Sequence, residues 1–157
     1  MKVRLATLSD LSNIITLWWE MQIDHLKYDK YFYETKSEEK AKDLAANYFA
    51  NALKDKNHII IVLEQDQQVV GMLHCEIIQR PPVLKEEQEA FICEASITQR
   101  FRGQGLFQLM FELLKTQLEK RNIHLCNLLL ETENLQGFRA YKKCGFQERQ
   151  KFLILRL

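Results

Sequence analysis

A chain of 157 residues, 46 % of them apolar, is the length of one domain and can bury about two thirds of its unfolded surface. The 22 basic and 21 acidic residues leave a formal charge of +1 and are mixed along the chain, which argues against general attraction to nucleic acid or anionic lipid; any anion site must be local. The opening MKVRLATLSD has no apolar run fit for a signal peptide, no stretch approaches 18 apolar residues, and Cys75, Cys93, Cys126 and Cys144 lack CxxC spacing. The expectation is a soluble cytoplasmic protein with reduced thiols and no metal site.

Residues 3–6 read as a short first strand. Thr7 or Ser9 can cap a helix in which Leu11, Ile14/Ile15, Trp18 and Met21 recur at helical spacing. Residues 24–34 are aromatic and charged without a period, and read as a loop or broken helix. Thr35 and Glu38 suit a capping box for a second helix over 37–54, with an apolar face through Ala41, Leu44/Ala45, Tyr48 and Ala52. Residues 58–64 and 69–78 form a hairpin about Asp66 and Gln67, and the stretch around Pro81 and Pro82 is a loop. Strands over 90–98 and 123–132 bracket a helix over 106–120, whose apolar positions are Leu106, Leu109/Met110, Leu113/Leu114 and Leu118. A last helix over 134–144 stops at Gly145, and short strands over 147–150 and 152–157 follow. The order β-α-α-β-β-β-α-β-α-β-β is that of an α/β (α+β) fold: a mixed sheet of about seven strands with four helices on its faces.

The stretch organising the chain is QRFRGQGLF, residues 99–107, where a strand turns through two glycines into a helix. Amides at a helix N-terminus lack partners and carry about half a positive charge, and glycines let a diphosphate approach the backbone; Arg100 and Arg102 add charge. After Gly103 and Gly105 the third glycine of a dinucleotide motif is replaced by Gln108, and no P-loop sequence occurs. What fits is [Q/R]-x-x-G-x-[G/A], filled by Arg100, Gly103 and Gly105.

In this motif the chain resembles the GNAT superfamily of acyl-CoA-dependent N-acyltransferases. A second block, ENLQGFRAYKKCGF, agrees: Asn134, Tyr141, Gly145 and Phe146 stand where that family carries an asparagine, a tyrosine seven residues on, and a closing Gly-Phe pair. Residues 3–21 and 59–73 resemble its first strand and helix and its hairpin. The resemblance implies a mostly antiparallel sheet in which the strands ending near Thr98 and Thr132 splay apart around acetyl-CoA. The pantetheine arm would bond to backbone near Ile97 and Thr98. The diphosphate would sit on the amides of Arg102, Gly103, Gln104, Gly105, Leu106 and Phe107, and Asn134 would hold the arm from the far side. Where Phe107 stands the family often has a small residue, so the packing there is expected to differ.

The reaction sets further demands. An alkyl amine of pKa near 10.4 is only about 0.04 % neutral at pH 7, a deficit of roughly 4.6 kcal/mol. Glu94, interrupting the apolar strand AFICEASI, is the favoured base, with Glu131 and Glu76 as alternatives. Tyr141 is the acid: a phenol of pKa about 10 can donate a hydrogen bond to a departing thiolate, full transfer being uphill by about 2 kcal/mol. An acceptor pocket is expected from the 24–34 segment and the Pro81/Pro82 loop, with His25, Tyr28, Asp29 and Tyr31, together with Ser96, facing a small-molecule amine. The competing readings are an acyl-CoA-binding regulatory module without turnover, an acetyltransferase acting on a protein N-terminus or lysine, and a nucleic-acid binder using Arg100 and Arg102. A homodimer is expected by analogy.

Overall fold

The computed structural model describes residues 1–157. Five strands form one sheet in sequence order: β1 (Lys2–Leu5), β2 (His58–Gln65), β3 (Gln68–Gln79), β4 (Gln88–Ile97) and β5 (Cys126–Leu128). The first three pairings are antiparallel and β4 with β5 is parallel. Four helices flank the sheet: α1 (Leu11–His25), α2 (Glu38–Ala52), α3 (Leu106–Glu119) and α4 (Leu135–Lys143). None is long and apolar enough to cross a membrane.

Both sheet faces are covered, so the central strands read as nearly continuous apolar runs. Ile59, Ile61, Leu63, Leu73, Cys75, Ala90 and Ile92 point to α3, whose Leu106, Phe107, Met110, Phe111, Leu114 and Leu118 fill that layer. Ile60, Val62 and Met72 point the other way, to Ile14 and Leu17 of α1 and Ala45, Phe49 and Ala52 of α2. On α2 it is Phe49 that seals the face, while Leu44 and Tyr48 of the expected stripe are exposed. The cap is also different: Ser37 Oγ accepts from the Lys40 amide, in place of the Thr35/Glu38 box.

At the other helix start, Thr7 and Asp10 form a capping box around a 3-10 turn, Leu8–Asp10. Asp10 is buried and accepts from both terminal nitrogens of Arg4, at 2.7 and 2.8 Å, and from the Thr7 amide at 2.8 Å. Those donors hold its carboxyl down at about 2, Arg4 contributing most. Asp66 and Gln67 both lie in the left-handed region, φ 51° and 65°, the geometry a two-residue hairpin turn needs to follow the strand twist.

The two terminal strands do not form: 147–157 carries no regular structure. The outer edge of β5 stays unpaired, and QERQK offers nothing apolar to bury. Phe152, Leu153 and Leu155 are exposed; the tail is held where Arg156 pairs with Asp29 and covers the Tyr31 ring. The sheet therefore has five strands where about seven were expected.

Candidate functional site

The cleft begins where β4 and β5 part. They pair only at Ala90 with Cys126, Phe91 with Asn127 and Ile92 with Leu128. Beyond that β5 ends, while β4 runs on to Ile97 without a neighbour on this side. Pairing stops where the two strands were expected to splay, and β5 is shorter than the strand expected over 123–132.

At the head of the cleft β4 passes through a 3-10 turn, Gln99–Phe101, into α3. Gly103 and Gly105 sit at φ 77° and 75°, a region costing other residues about 1–2 kcal/mol. The amides of Gly103, Gln104, Gly105, Leu106 and Phe107 donate to no protein acceptor. Five successive unpaired N–H groups at a helix N-terminus form an anion cradle.

The arginine side chains do not join it. Arg102 Nε donates to the Ile97 carbonyl at 2.7 Å and its guanidinium pairs with Asp24 of α1 at 2.7 Å. The charge expected from Arg102 is thus balanced by Asp24, and the Ile97 carbonyl is taken. Arg100 lies over Phe101 and reaches Gln68, the Gln104 side chain bonds back to the Arg100 carbonyl, and Thr98 caps the turn and pairs with Val70. Phe107 is turned into the core, stacked on Phe111 and edge-on to Tyr141 at 4.8 Å.

Glu94 owes its orientation to a β-bulge. His74 pairs with Glu94 but Cys75 with Ile92, so Cys93 is the extra residue. Strict alternation from Ile92 would aim Glu94 at α3; the bulge resets the pleat and sets Glu94 on the α1/α2 face beside His74. Glu94 Oε2 lies 2.5 Å from His74 Nδ1, and His74 Nε2 lies 2.9 Å from His58 Nδ1. Tyr48 and Phe49 meet the His74 ring edge-on. Tyr48 also lines a cleft of about 420 Å³ with Trp18, Glu34 and Leu44. Ser96, two residues on, is enclosed with its hydroxyl unpaired, so it belongs to the wall and not to the cleft surface.

Across the gap, Asn134 caps α4: its Oδ1 accepts from the Gly137 amide at 2.9 Å. Tyr141 packs among Phe107 and Phe146, and burial pushes its hydroxyl well above the usual phenol range. That hydroxyl remains protonated at neutral pH and makes no hydrogen bond within the protein. Burial also drives the Cys93 and Cys126 thiols up to about 12, and all four cysteines are free. Cys93 is close enough to His74 and Glu94 for the three to share an ion, but His74 Nδ1 is already engaged by the carboxylate.

The segment joining α1 to α2 is more ordered than its sequence suggested. Asp29 accepts from the Tyr31 and Phe32 amides and pairs with Arg156, a turn-forming role, and Tyr31 is exposed beneath Arg156. His25 stacks on Tyr33 at 4.8 Å and lies 5.9 Å from Tyr28; burial lowers its pKa, keeping it neutral. Tyr33 was not singled out by the sequence, yet its hydroxyl donates to Glu131 Oε1 at 2.5 Å, joining this segment to the far wall of the cleft. Glu131 is thereby bonded, and Glu76 stands opposite Phe91 on one side and His58 on the other; Glu94 alone of the three carboxylates is hydrogen-bonded to a histidine. His58 and His74 were also missed, because only the strand register brings them together.

Comparison with known proteins agrees with this geometry. A family model described as "Acetyltransferase (GNAT) family" matches residues 17–146. An uncharacterized N-acetyltransferase of Methanocaldococcus jannaschii, MJ1207, is 26 % identical over 148 residues; the match covers 94 % of this chain and 61 % of that protein's length. The BH1408 protein of Bacillus halodurans superposes with a TM-score of 0.87 at 18 % identity, covering 100 % of both chains. A predicted acetyltransferase of Clostridium acetobutylicum, solved with acetyl-CoA, superposes with a TM-score of 0.80 at 23 % identity, covering 99 % of this chain and 95 % of that one. Parted strands, an open amide cradle and a match to the family over most of its length together make the chain a member of the GNAT acetyltransferase family.

Proposed function

We propose that the protein transfers an acetyl group from acetyl-CoA to the primary amine of a small molecule, by direct attack within the cleft. The observation carrying this reading is the run of five unpaired amides from Gly103 to Phe107, which suits a diphosphate and has no other use in the fold. The β4 edge over 93–97 and the Asn134 side-chain amide flank the pantetheine arm. Bound there, acetyl-CoA supplies an activated acyl group.

The chain's own residues do the rest. Glu94 Oε1, free of protein partners, takes a proton from the acceptor ammonium, directly or through one water. Tyr141 donates a hydrogen bond to the thiolate as it leaves; its raised pKa makes stabilisation, not proton donation, its contribution. The acceptor enters on the α1/α2 face beside Tyr48, past the 24–34 segment. We further propose a cytoplasmic homodimer: unpaired thiols suit a reducing compartment, and the exposed run Phe152, Leu153, Ile154 and Leu155 suits burial against a second copy.

The test combines calorimetry with coenzyme A and acetyl-CoA and a thiol-release screen over polyamines, amino acids, aminoglycosides, and peptides offering an N-terminus or a lysine. Uptake of both carriers and turnover on a small amine are expected. Absence of carrier binding overturns the reading. Binding without turnover on any acceptor points to a regulatory module, and turnover confined to peptides to a protein acetyltransferase.

A further inference from the structure

Three side chains on neighbouring strands form a line across the α1/α2 face: Glu94 on β4, His74 on β3 and His58 at the start of β2. His74 is fully buried. Its ring nitrogens are both engaged, Nδ1 by Glu94 Oε2 at 2.5 Å and Nε2 by His58 Nδ1 at 2.9 Å. A carboxylate only accepts, so His74 Nδ1 carries the proton of that bond, and Nε2 meets His58 Nδ1 with one ring donating to the other. Tyr48 meets both rings edge-on and Phe49 meets that of His74.

We infer that His74, held between Glu94 and His58, is a positioning residue for the reaction. It grips Oε2 of Glu94 and so presents Oε1 to the acceptor. The inference rests on Glu94 being the base. When Oε1 takes a proton from the acceptor ammonium, an O–H bond forms, an N–H bond breaks and a neutral amine remains; His74 keeps its own proton throughout. A charge-assisted bond to a carboxylate is stronger than a neutral one and directional, and a base held in one rotamer loses nothing to misaligned alternatives.

The first measurement needs no acceptor. Long-range proton–nitrogen NMR on protein labelled in its four histidines, assigned with His58→Asn and His74→Asn, should show hydrogen on Nδ1 of His74. A His74 Nδ1 without hydrogen overturns the proposal. The second uses acetyl-CoA and the best acceptor from the screen. His74→Leu should lower kcat about tenfold or more with KM for acetyl-CoA unchanged. His74→Asn, whose amide NH₂ replaces Nδ1–H, should recover to within about threefold of wild type, and His58→Leu should fall between the two. Wild-type kcat in a folded His74→Leu protein overturns the positioning role. Glu94→Gln separates the cases: full activity there removes Glu94 as base, whereas inactive Glu94→Gln beside unaffected His74→Leu removes only this inference.

Discussion

Replacing Gly105 by alanine separates the backbone conformation of the cradle from the space around it. A Cβ there meets only the Gln108 side-chain oxygen, at 3.5 Å, an ordinary contact, so the cost is that of φ 75° for a residue with a side chain, about 1–2 kcal/mol. Residues 103–105 are exposed and weakly tied, so the turn relieves that cost by leaving the left-handed region, and its amides then cease to converge. Each amide–phosphate bond is charge-assisted and contributes about 1.5–3 kcal/mol. Loss of one predicts a Kd for coenzyme A raised about tenfold to a hundredfold, read by isothermal titration. Gly145→Ala is the control: φ there is 94° with nothing within 4 Å of the new methyl, so it imposes a comparable backbone cost away from the cradle. It should lower Tm yet leave coenzyme A uptake near wild type. If Gly105→Ala binds coenzyme A as wild type does, or if both variants weaken it equally, the amide cradle is not what holds the carrier.

Tyr141→Phe should lower kcat at least tenfold while acetyl-CoA affinity stays within a few-fold, because the phenol acts on the leaving thiolate; unchanged steady-state turnover removes that role. Asp10, held at about 2 against an unfolded value of 3.8, binds fewer protons when folded, so it adds about 2 kcal/mol of stability above pH 4 that is lost as pH falls from about 4 through 2. Asp10→Asn should forfeit that amount in urea unfolding at pH 7 and flatten the acid slope; an unaltered slope refutes the assignment. Removing residues 152–157 should shift sedimentation from dimer to monomer, and a full-length monomer at working concentration refutes the proposed association.

The sequence carried the fold wherever a period or a turn marked an element. α3 was legible to within a residue because its apolar positions keep a helical period, and the hairpin because its β-branched runs meet at Asp66 and Gln67. The C-terminal strands were misread because FLILRL has strand composition, and composition says nothing about whether a neighbouring edge exists to pair with. In the site, Gly103 and Gly105 were readable since their spacing encodes a backbone conformation. The fate of Arg102 was not, since its partner Asp24 lies on a distant helix. Glu94 stood out as a lone charge in an apolar run. His74 did not, because a histidine between Leu73 and Cys75 acquires meaning only through the bulge at Cys93, and a one-residue slip in pairing leaves no mark on composition.

The connection between α1 and α2 is stitched to both banks of the cleft. Asp24 holds Arg102 on the β4 bank, and Tyr33 holds Glu131 beyond β5. Any widening of the gap must slacken one stitch or drag this connection along. One connecting segment thus ties the two walls together, each through a single side-chain contact, and a substitution at Asp24 or Tyr33 releases one wall from it.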